Sequence, residues 1–341
     1  DEVEAIVEDD ALPDAAVEPA VANPPFPPAD AEEEEEPTLF AMLSKPTRRM
    51  GVEVIFNMTE YCRSCVDHYM AAAGITKLGK ATTPYPPEGS LHLADDECQG
   101  ELMSKSCSCL MKDLWAGRLA RPDLSRPIIR LTTKITKWTR NDDKRLRRLM
   151  EYMNWSAESH RLKGFVCDPP DEIELWLFVD ADLAGDKDDT KSSTGGYFVL
   201  VGPGTWYPLH WVYMKQTATS RSTTEAETSA VAHCFIQECY PMLDALELTL
   251  GRRVTCRRKE DNQVTITATR SGYSQKLAPM LRSQNINLSA LHDGIEEGNG
   301  IILRHVGHLF FFLIVVLASF LRIHRHRCRR RGSIVTFGRR E

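Results

Sequence analysis

Hydrophobic positions in the first half of the chain recur at helical spacing. Leu146, Leu149, Met150 and Met153 follow an i, i+3, i+4, i+7 pattern, which predicts an amphipathic helix over residues 142–155. We expect this helix to pack against its neighbours and to carry no chemistry of its own. Two more helices are predicted upstream, at residues 57–74 and 101–119.

The pattern changes after Pro170 to short apolar runs typical of β-strands. A helical stretch at residues 224–250 follows these runs, with a break predicted at Pro241, and then a short strand that ends near Asp261. This order predicts an α/β domain with a mixed sheet and flanking helices at residues 171–307. The apolar runs, separated by Gly, Pro and Asp, predict an antiparallel meander at residues 172–179, 196–201 and 209–214.

The composition fits a globular protein. The 341 residues are 42% hydrophobic and 26% charged, which excludes a wholly disordered or fibrous chain. The ten cysteines are spread along the chain and favour reduced thiols in the cytosol or nucleus over a secreted disulfide framework. Cys62 and Cys65 form a CxxC with His68 nearby, but no second pair completes four zinc ligands, so no zinc site is expected there.

Charge is distributed unevenly along the chain. Residues 1–37 hold fourteen acids, seven prolines and no Lys or Arg, which predicts a disordered acidic segment. Residues 322–341 hold eight Arg and one Glu, so the net charge of −6 hides a nearly neutral middle. A neutral middle does not by itself indicate nucleic-acid binding, which must be argued from a site.

Three acidic residues fall where the predicted fold would bring them together. Asp180 ends the first strand of the meander, Glu227 lies in the first turn of the following helix, and Asp261 ends the next strand. Converging carboxylates favour Mg²⁺ or Mn²⁺, and two such ions can support phosphodiester hydrolysis. Structural alternatives remain, because Asp is common in turns and Thr224 with Glu227 matches a helix capping box.

Two further acids lie two residues from this set. On a strand, Asp182 shares a face with Asp180, so we expect it to support the site from outside the ligand set. Glu225 points about 200° around the helix from Glu227, so we expect it to lie outside the site.

Three motifs make the site more specific than the spacing alone. Together they resemble the ribonuclease H domain at the end of the Pol polyprotein of copia-type LTR retrotransposons. The motifs are VDADLAGDKDDTKSSTGGYFVL (179–200), KQTATSRSTTEAETSAV (215–231) and EDNQVTI (260–266).

The resemblance continues upstream into the region that connects reverse transcriptase to ribonuclease H in these elements. The polymerase itself is absent, so DNA synthesis is not predicted. The division implied is a disordered head, a small helical connection region, a ribonuclease-H-like domain and an aberrant tail, at residues 1–37, 38–170, 171–307 and 308–341. The matching upstream segments are residues 61–74, 81–88, 115–130 and 137–153.

The resemblance implies a function and partners. Asp180, Glu227 and Asp261 match the family's first three metal ligands, which implies an endonuclease that uses two Mg²⁺ or Mn²⁺ ions to hydrolyse the RNA strand of RNA:DNA hybrids. The remainder of a retrotransposon polyprotein is implied as a partner. Lys215, Arg221 and the basic run at 252–259 are candidates for contacts with hybrid phosphates, although solvated surfaces have the same composition.

The chain departs from the family at its fourth acid. That acid follows a strand matching residues 303–306, but here no acid occurs before Glu341, and Asp293, Glu296 and Glu297 precede the strand. Losing one carboxylate weakens coordination of the second ion and predicts reduced turnover. The alternative is a noncatalytic transposon remnant that acts as an interaction or membrane-attached protein.

The apolar segment at residues 309–321 leaves three interpretations open. Its thirteen residues are fewer than a membrane helix needs, although the Arg-rich run at 322–331 could flank a membrane anchor. The abrupt change near residue 307 is also what a frameshift or a lost splice site would leave. The third interpretation is a buried or interfacial helix. We expect a cytoplasmic or nuclear protein, with membrane attachment as the alternative.

Overall fold

A computed structural model of the protein describes residues 50–87, 89–184, 190–295, 301–305 and 330–336. The acidic segment 1–37 and the apolar segment 309–321 lie outside these ranges. Within the ranges, no helix has both the length and the apolar composition that crossing a bilayer requires.

The strands are β1 (Gly51–Asn57), β2 (Leu162–Val166), β3 (Glu174–Asp182), β4 (Ser193–Val201), β5 (Trp206–Lys215), β6 (Cys256–Glu260), β7 (Ile301–His305) and β8 (Arg330–Thr336). The helices are α1 (Thr59–Ala73), α2 (Met103–Leu119), α3 (Pro122–Thr132), α4 (Arg140–Ser156), α5 (Thr223–His233), α6 (Tyr240–Leu250), α7 (Gln263–Ser271), α8 (Met280–Ser283) and α9 (Leu288–Asp293).

The strands form one mixed sheet in the order β7-β6-β3-β4-β5-β2-β1-β8. Strands β3, β4 and β5 make the predicted antiparallel meander, whereas β6 and β7 run parallel to β3. The predicted α/β architecture, a mixed sheet with flanking helices, is confirmed. Strand β3 lies between β4 and β6, so its carboxyl end is near the centre of this part of the sheet.

The sheet extends beyond the meander into the preceding region of the chain. Strand β2 joins β5 through the pair Phe165 and Trp206, β1 is antiparallel to β2, and β8 is parallel to β1. These strands were not among the predicted elements. The region that the sequence predicted as helical therefore also contributes strands to the sheet that carries the acidic residues.

Helices α1 to α4 form a separate apolar core. Helix α4 begins at Thr139, whose hydroxyl accepts the Asp142 N–H while the Asp142 carboxylate accepts the Thr139 N–H at 3.0 Å. The apolar stripe predicted for this helix is fully buried. Helix α1 ends at Gly74, which has a φ of 65°, a conformation that glycine adopts without steric cost.

Strand β3 is apolar on both faces because both faces are covered. Leu175 and Leu177 belong to the core beneath α5 and α6, whereas Trp176 packs with aromatic residues of β4 and β5. On this second side, the indole N–H of Trp211 donates to the Gly117 carbonyl of α2 at 2.7 Å. The helical region and the sheet are therefore in direct contact.

The long helix predicted at residues 224–250 is divided in two. A π-helical turn at Cys234–Cys239 separates α5 from α6, and Pro241 lies in the first turn of α6. The break therefore falls before the proline, which is tolerated at this position because its missing N–H is not needed there.

Candidate metal centre

Two acidic side chains emerge at the same edge of the sheet. Asp180 lies near the end of β3, and Asp261 directly follows β6. The two strands are parallel, with Phe178 opposite Lys259, so two residues farther along Asp180 and Asp261 lie side by side.

The third acid is presented by α5. Ser222 is the N-cap, and its hydroxyl accepts the N–H of Glu225 at 3.2 Å, while the Glu225 carboxylate accepts the Arg221 N–H at 2.7 Å. The capping box considered as an alternative explanation for Thr224 and Glu227 does not form, because the N-cap is Ser222, two residues earlier. Glu225 lies outside the site, as expected, and Glu227 is left to face the sheet with 4% of its surface exposed.

The structure brings the three predicted carboxylates together. One oxygen each from Asp180, Glu227 and Asp261 lies within 4.8 Å of the other two. Among the His, Cys, Asp and Glu residues that the structure describes, this is the group arranged to hold a metal ion. Glu227 is buried, whereas the two aspartates are half-buried, so the cluster opens toward solvent on the aspartate side.

The cluster is electrostatically unfavourable when no cation is bound. The pKa of Glu227 is raised to about 10, first by burial and then by the nearby carboxylates of Glu260, Asp180 and Asp261, against the lowering effect of a hydrogen bond from the Ala181 N–H. The Glu227 Oε2 atom is buried and has no hydrogen-bond partner within the described ranges. A buried acceptor beside two other carboxylates is an unsatisfied arrangement.

The donor set of this cluster fits a divalent cation. It offers three carboxylates, which are the hard oxygen ligands that Mg²⁺ and Mn²⁺ bind. A cation would give the buried Glu227 oxygen a partner and would favour the ionised form of that residue. The half-exposed aspartates would leave positions for water or a substrate oxygen.

Strand β6 carries four charged residues in succession, at positions 257–260, although it lies inside the sheet. Arg258 and Glu260 are fully buried. Burial raises the pKa of Glu260 to about 8, against the opposing effect of Arg258, and burial lowers the pKa of Arg258 to about 10. Lys259 lies on the opposite face, with its ammonium 4.3 Å from the centre of the Trp176 ring. The sequence placed Arg258 only in the basic run at 252–259, as a candidate for phosphate contacts that its burial contradicts, and it did not select Glu260. These two residues form a second layer of buried charge next to the acidic cluster.

The other acids near the site have different surroundings. Asp182, which was expected to support the metal site, forms an ion pair with Arg126 of α3 at 2.6 Å. Asp293 is the last residue of α9 and does not belong to the acidic cluster. Glu296 and Glu297 lie outside the described residues, as does the segment where the family's fourth acid was expected.

The basic residues predicted to contact hybrid phosphates lie in different parts of the structure. Lys215 ends β5 opposite Ser193, near Asp182, and Arg221 is exposed beside the start of α5. Arg252 precedes β6 at the other edge of the sheet, where its guanidinium donates to the carbonyl oxygen of Ile173. The run at 252–259 is therefore not a single nucleic-acid surface.

The CxxC motif is part of the helical core. Cys62 and Cys65 are buried in α1, and the Nε2 atom of His68 lies 2.9 Å from the Ser108 hydroxyl. Among the described residues, Cys62, Cys65 and His68 are not part of a group arranged to hold a metal ion.

Sequence comparison relates the chain to retrotransposon proteins. It is 35% identical over 113 residues to the retrovirus-related Pol polyprotein from transposon RE1 of Arabidopsis thaliana, and 34% identical over 113 residues to that from transposon RE2. Each match covers 33% of this chain and 7% of the relative, so the chain spans a small part of the length of these polyproteins. No protein-family model matches the chain.

Two ribonucleases H1 are among the solved structures that match part of this chain. The enzyme from the halophilic archaeon Halobacterium salinarum NRC-1 is 15% identical and aligns with 40% of this chain and 89% of its own, with a TM-score of 0.27. LC11-RNase H1, isolated from compost by a metagenomic approach, is 13% identical and aligns with 43% of this chain and 95% of its own, with a TM-score of 0.28. The sequence relatives confirm the resemblance predicted from the motifs. Across 33% of its length, this chain is similar to the Pol polyproteins of two plant retrotransposons.

Proposed function

We propose that this chain is a ribonuclease H that hydrolyses the RNA strand of RNA:DNA hybrids with the help of divalent cations. The observation that carries the proposal is the convergence of Asp180, Glu227 and Asp261 within 4.8 Å, with one buried Glu227 oxygen lacking a partner. The motifs around these residues and the similarity to Pol polyproteins support the same assignment.

The three carboxylates would hold Mg²⁺ or Mn²⁺, two ions by the family resemblance. When bound, such ions activate a water nucleophile and stabilise the leaving oxygen in phosphodiester hydrolysis. The chain's own contribution is to hold three acceptor groups in place before substrate arrives. Strands β3 and β6 fix the aspartates through their ladder, and the Ala181 N–H orients the Glu227 carboxylate.

The substrate follows from the same family resemblance. A hybrid would be recognised by its helical shape, its phosphates and its 2′-hydroxyls, without reading base sequence. Residues 306–340 contain no acid, so we expect the second cation to be held weakly and turnover to be slow. Other parts of a Pol polyprotein are the natural partners of this segment.

A fluorescent cleavage assay tests the proposal. The full chain should release product from an RNA:DNA hybrid in Mg²⁺ or Mn²⁺, but not in EDTA and not from double-stranded DNA. Asp180→Asn should abolish product. Asp171→Asn makes the same change at an exposed turn outside the cluster and should retain activity. Equal rates for the wild type and Asp180→Asn would overturn the proposal and favour a noncatalytic remnant.

A further inference from the structure

A cleft beside the acidic cluster is formed jointly by the helical region and the sheet. We call it the α3 cleft, and its position follows from β3. Asp182 points to the same face as Asp180 and lies two residues farther along the strand, a distance of about 7 Å. A duplex held at the acidic cluster would therefore pass over the cleft. The residues that line it are Ile129, Arg130, Thr133, Asp182, Ser193, Tyr213 and Lys215.

Cations and hydroxyl groups dominate the polar chemistry of the α3 cleft. Arg130 and Lys215 line it from opposite sides, and the acid within it, Asp182, is paired with Arg126 at 2.6 Å. The Tyr213 hydroxyl donates to the Ser193 hydroxyl at 2.9 Å. Guanidinium, ammonium and hydroxyl groups are the side chains that contact nucleic-acid phosphates.

A second observation comes from the loop that precedes α2. The Tyr85 hydroxyl is buried and has no hydrogen-bond partner among the described residues. It lies close enough to Arg126 and Arg130 for their charges to lower its pKa, although burial raises that pKa overall. A buried phenol hydroxyl without a partner therefore lies beside two guanidinium groups at the edge of this basic region.

The α3 cleft differs from an ordinary solvated helix face. Its residues come from α3 and from three strands that are distant in sequence, and Arg126 with Asp182 ties the two parts together. The cleft is also open, since the side chains of Arg126 and Asp182 are 49% and 37% exposed. The cleft therefore opens to solvent on the side of Arg126 and Asp182.

We propose that the α3 cleft binds a backbone phosphate of the hybrid, so that the helical region forms part of the substrate-binding surface. This inference rests on the proposed function and extends it, because the sequence suggested only a packing role for these helices. Arg130 and Lys215 would contact the phosphate, and Arg126 would act as a positioning residue by neutralising Asp182.

Hybrid binding at varied salt tests this role separately from cleavage. The full chain carrying Asp180→Asn is titrated with a labelled hybrid by fluorescence anisotropy, from about 50 to about 200 mM salt. Adding Arg130→Gln or Lys215→Gln should weaken binding several-fold. Each change should also reduce the slope of log Kd against log salt by about one unit, and the two together by about two. Arg130→Lys should restore most of the slope.

A matched control keeps the result interpretable. Arg253→Gln removes the same charge from an 80% exposed side chain near the start of β6, at the other edge of the sheet, and should leave the slope unchanged. Unfolding curves establish that each variant is folded. An unchanged slope in the folded double variant overturns the inference. The proposed function is refuted separately, by a wild type that fails to cleave.

Discussion

Replacing Glu227 with glutamine should stabilise the metal-free protein while abolishing its activity. The carboxyl is 4% exposed and lies beside two other carboxylates, and its pKa rises from 4.5 to about 10 on folding. At pH 7 the unfolded chain is ionised at this position but the folded protein is protonated, so folding must take up a proton. This uptake costs about 3 kcal/mol at pH 7. Glutamine removes the cost, and its amide can donate to Asp180 or Asp261.

The pH dependence gives the prediction a clear sign. Because the folded-state pKa is raised, the contribution of Glu227 to stability is complete below about pH 4.5 and is lost as the pH rises toward 10. Urea unfolding in EDTA should therefore show a small gain for Glu227→Gln near pH 5, a gain of about 3 kcal/mol near pH 7, and a larger gain near pH 9. Excess Mg²⁺ should stabilise the wild type and thereby narrow the difference in unfolding free energy between it and Glu227→Gln.

Glu225→Gln is the matched control for this experiment. It makes the same change two residues away, at an exposed cap, and should alter stability by less than about 1 kcal/mol at every pH. A Glu227→Gln protein that is no more stable than the wild type near pH 7 and pH 9 in EDTA would refute the electrostatic reasoning.

Two further predictions concern packing and a buried acid. Gly196→Ala would place a methyl group 2.7 Å from the Cys234 sulfur and should destabilise the fold by about 1–3 kcal/mol in urea unfolding. Gly195→Ala meets only the Asp180 carbonyl oxygen, at 3.8 Å, and should retain stability, although its methyl group faces the acidic cluster and should raise KM for the hybrid. Reversal of the two stability effects would contradict the assigned register. Asp113 is buried in the helical core beside the Cys65 thiol, and burial raises its pKa to about 8 against the lowering effect of a hydrogen bond with that thiol. Stability should therefore fall as the pH rises from about 4 to about 8, by about 1.4 kcal/mol for each unit of pKa difference, and Asp113→Asn should flatten this slope in unfolding experiments. If Asp113→Asn leaves the slope of stability against pH unchanged, Asp113 is not the group responsible for it.

The elements around the acidic cluster could be predicted because their signals are local. Strand β3 is a continuous apolar run that ends in Asp180, and the motif that carries Glu227 begins a helix. Parallel pairing of β3 with β6 then places Asp261 at the same edge. Local patterns, together with the three motifs around them, therefore selected three residues that the fold brings together.

Other features depend on contacts that are distant in sequence. Strand β1 pairs with β2 only after four helices intervene, so residues 51–57 carry no local signal for joining this sheet. The ion pair between Arg126 and Asp182 likewise depends on packing of α3 against the sheet. Arg258 and Glu260 are buried charges in a strand that general rules would expect to be apolar. Their opposite charges attract each other, which offsets part of the cost of burying them.

Binding of Mn²⁺ tests the central claim most directly, because it requires neither substrate nor turnover. A titration followed by electron paramagnetic resonance should show Mn²⁺ bound by the wild type and displaced by excess Mg²⁺. Binding should be lost in a folded protein that carries Asp180→Asn together with Asp261→Asn. Equal Mn²⁺ affinity in the wild type and the double variant would contradict the assignment of these carboxylates as a metal centre.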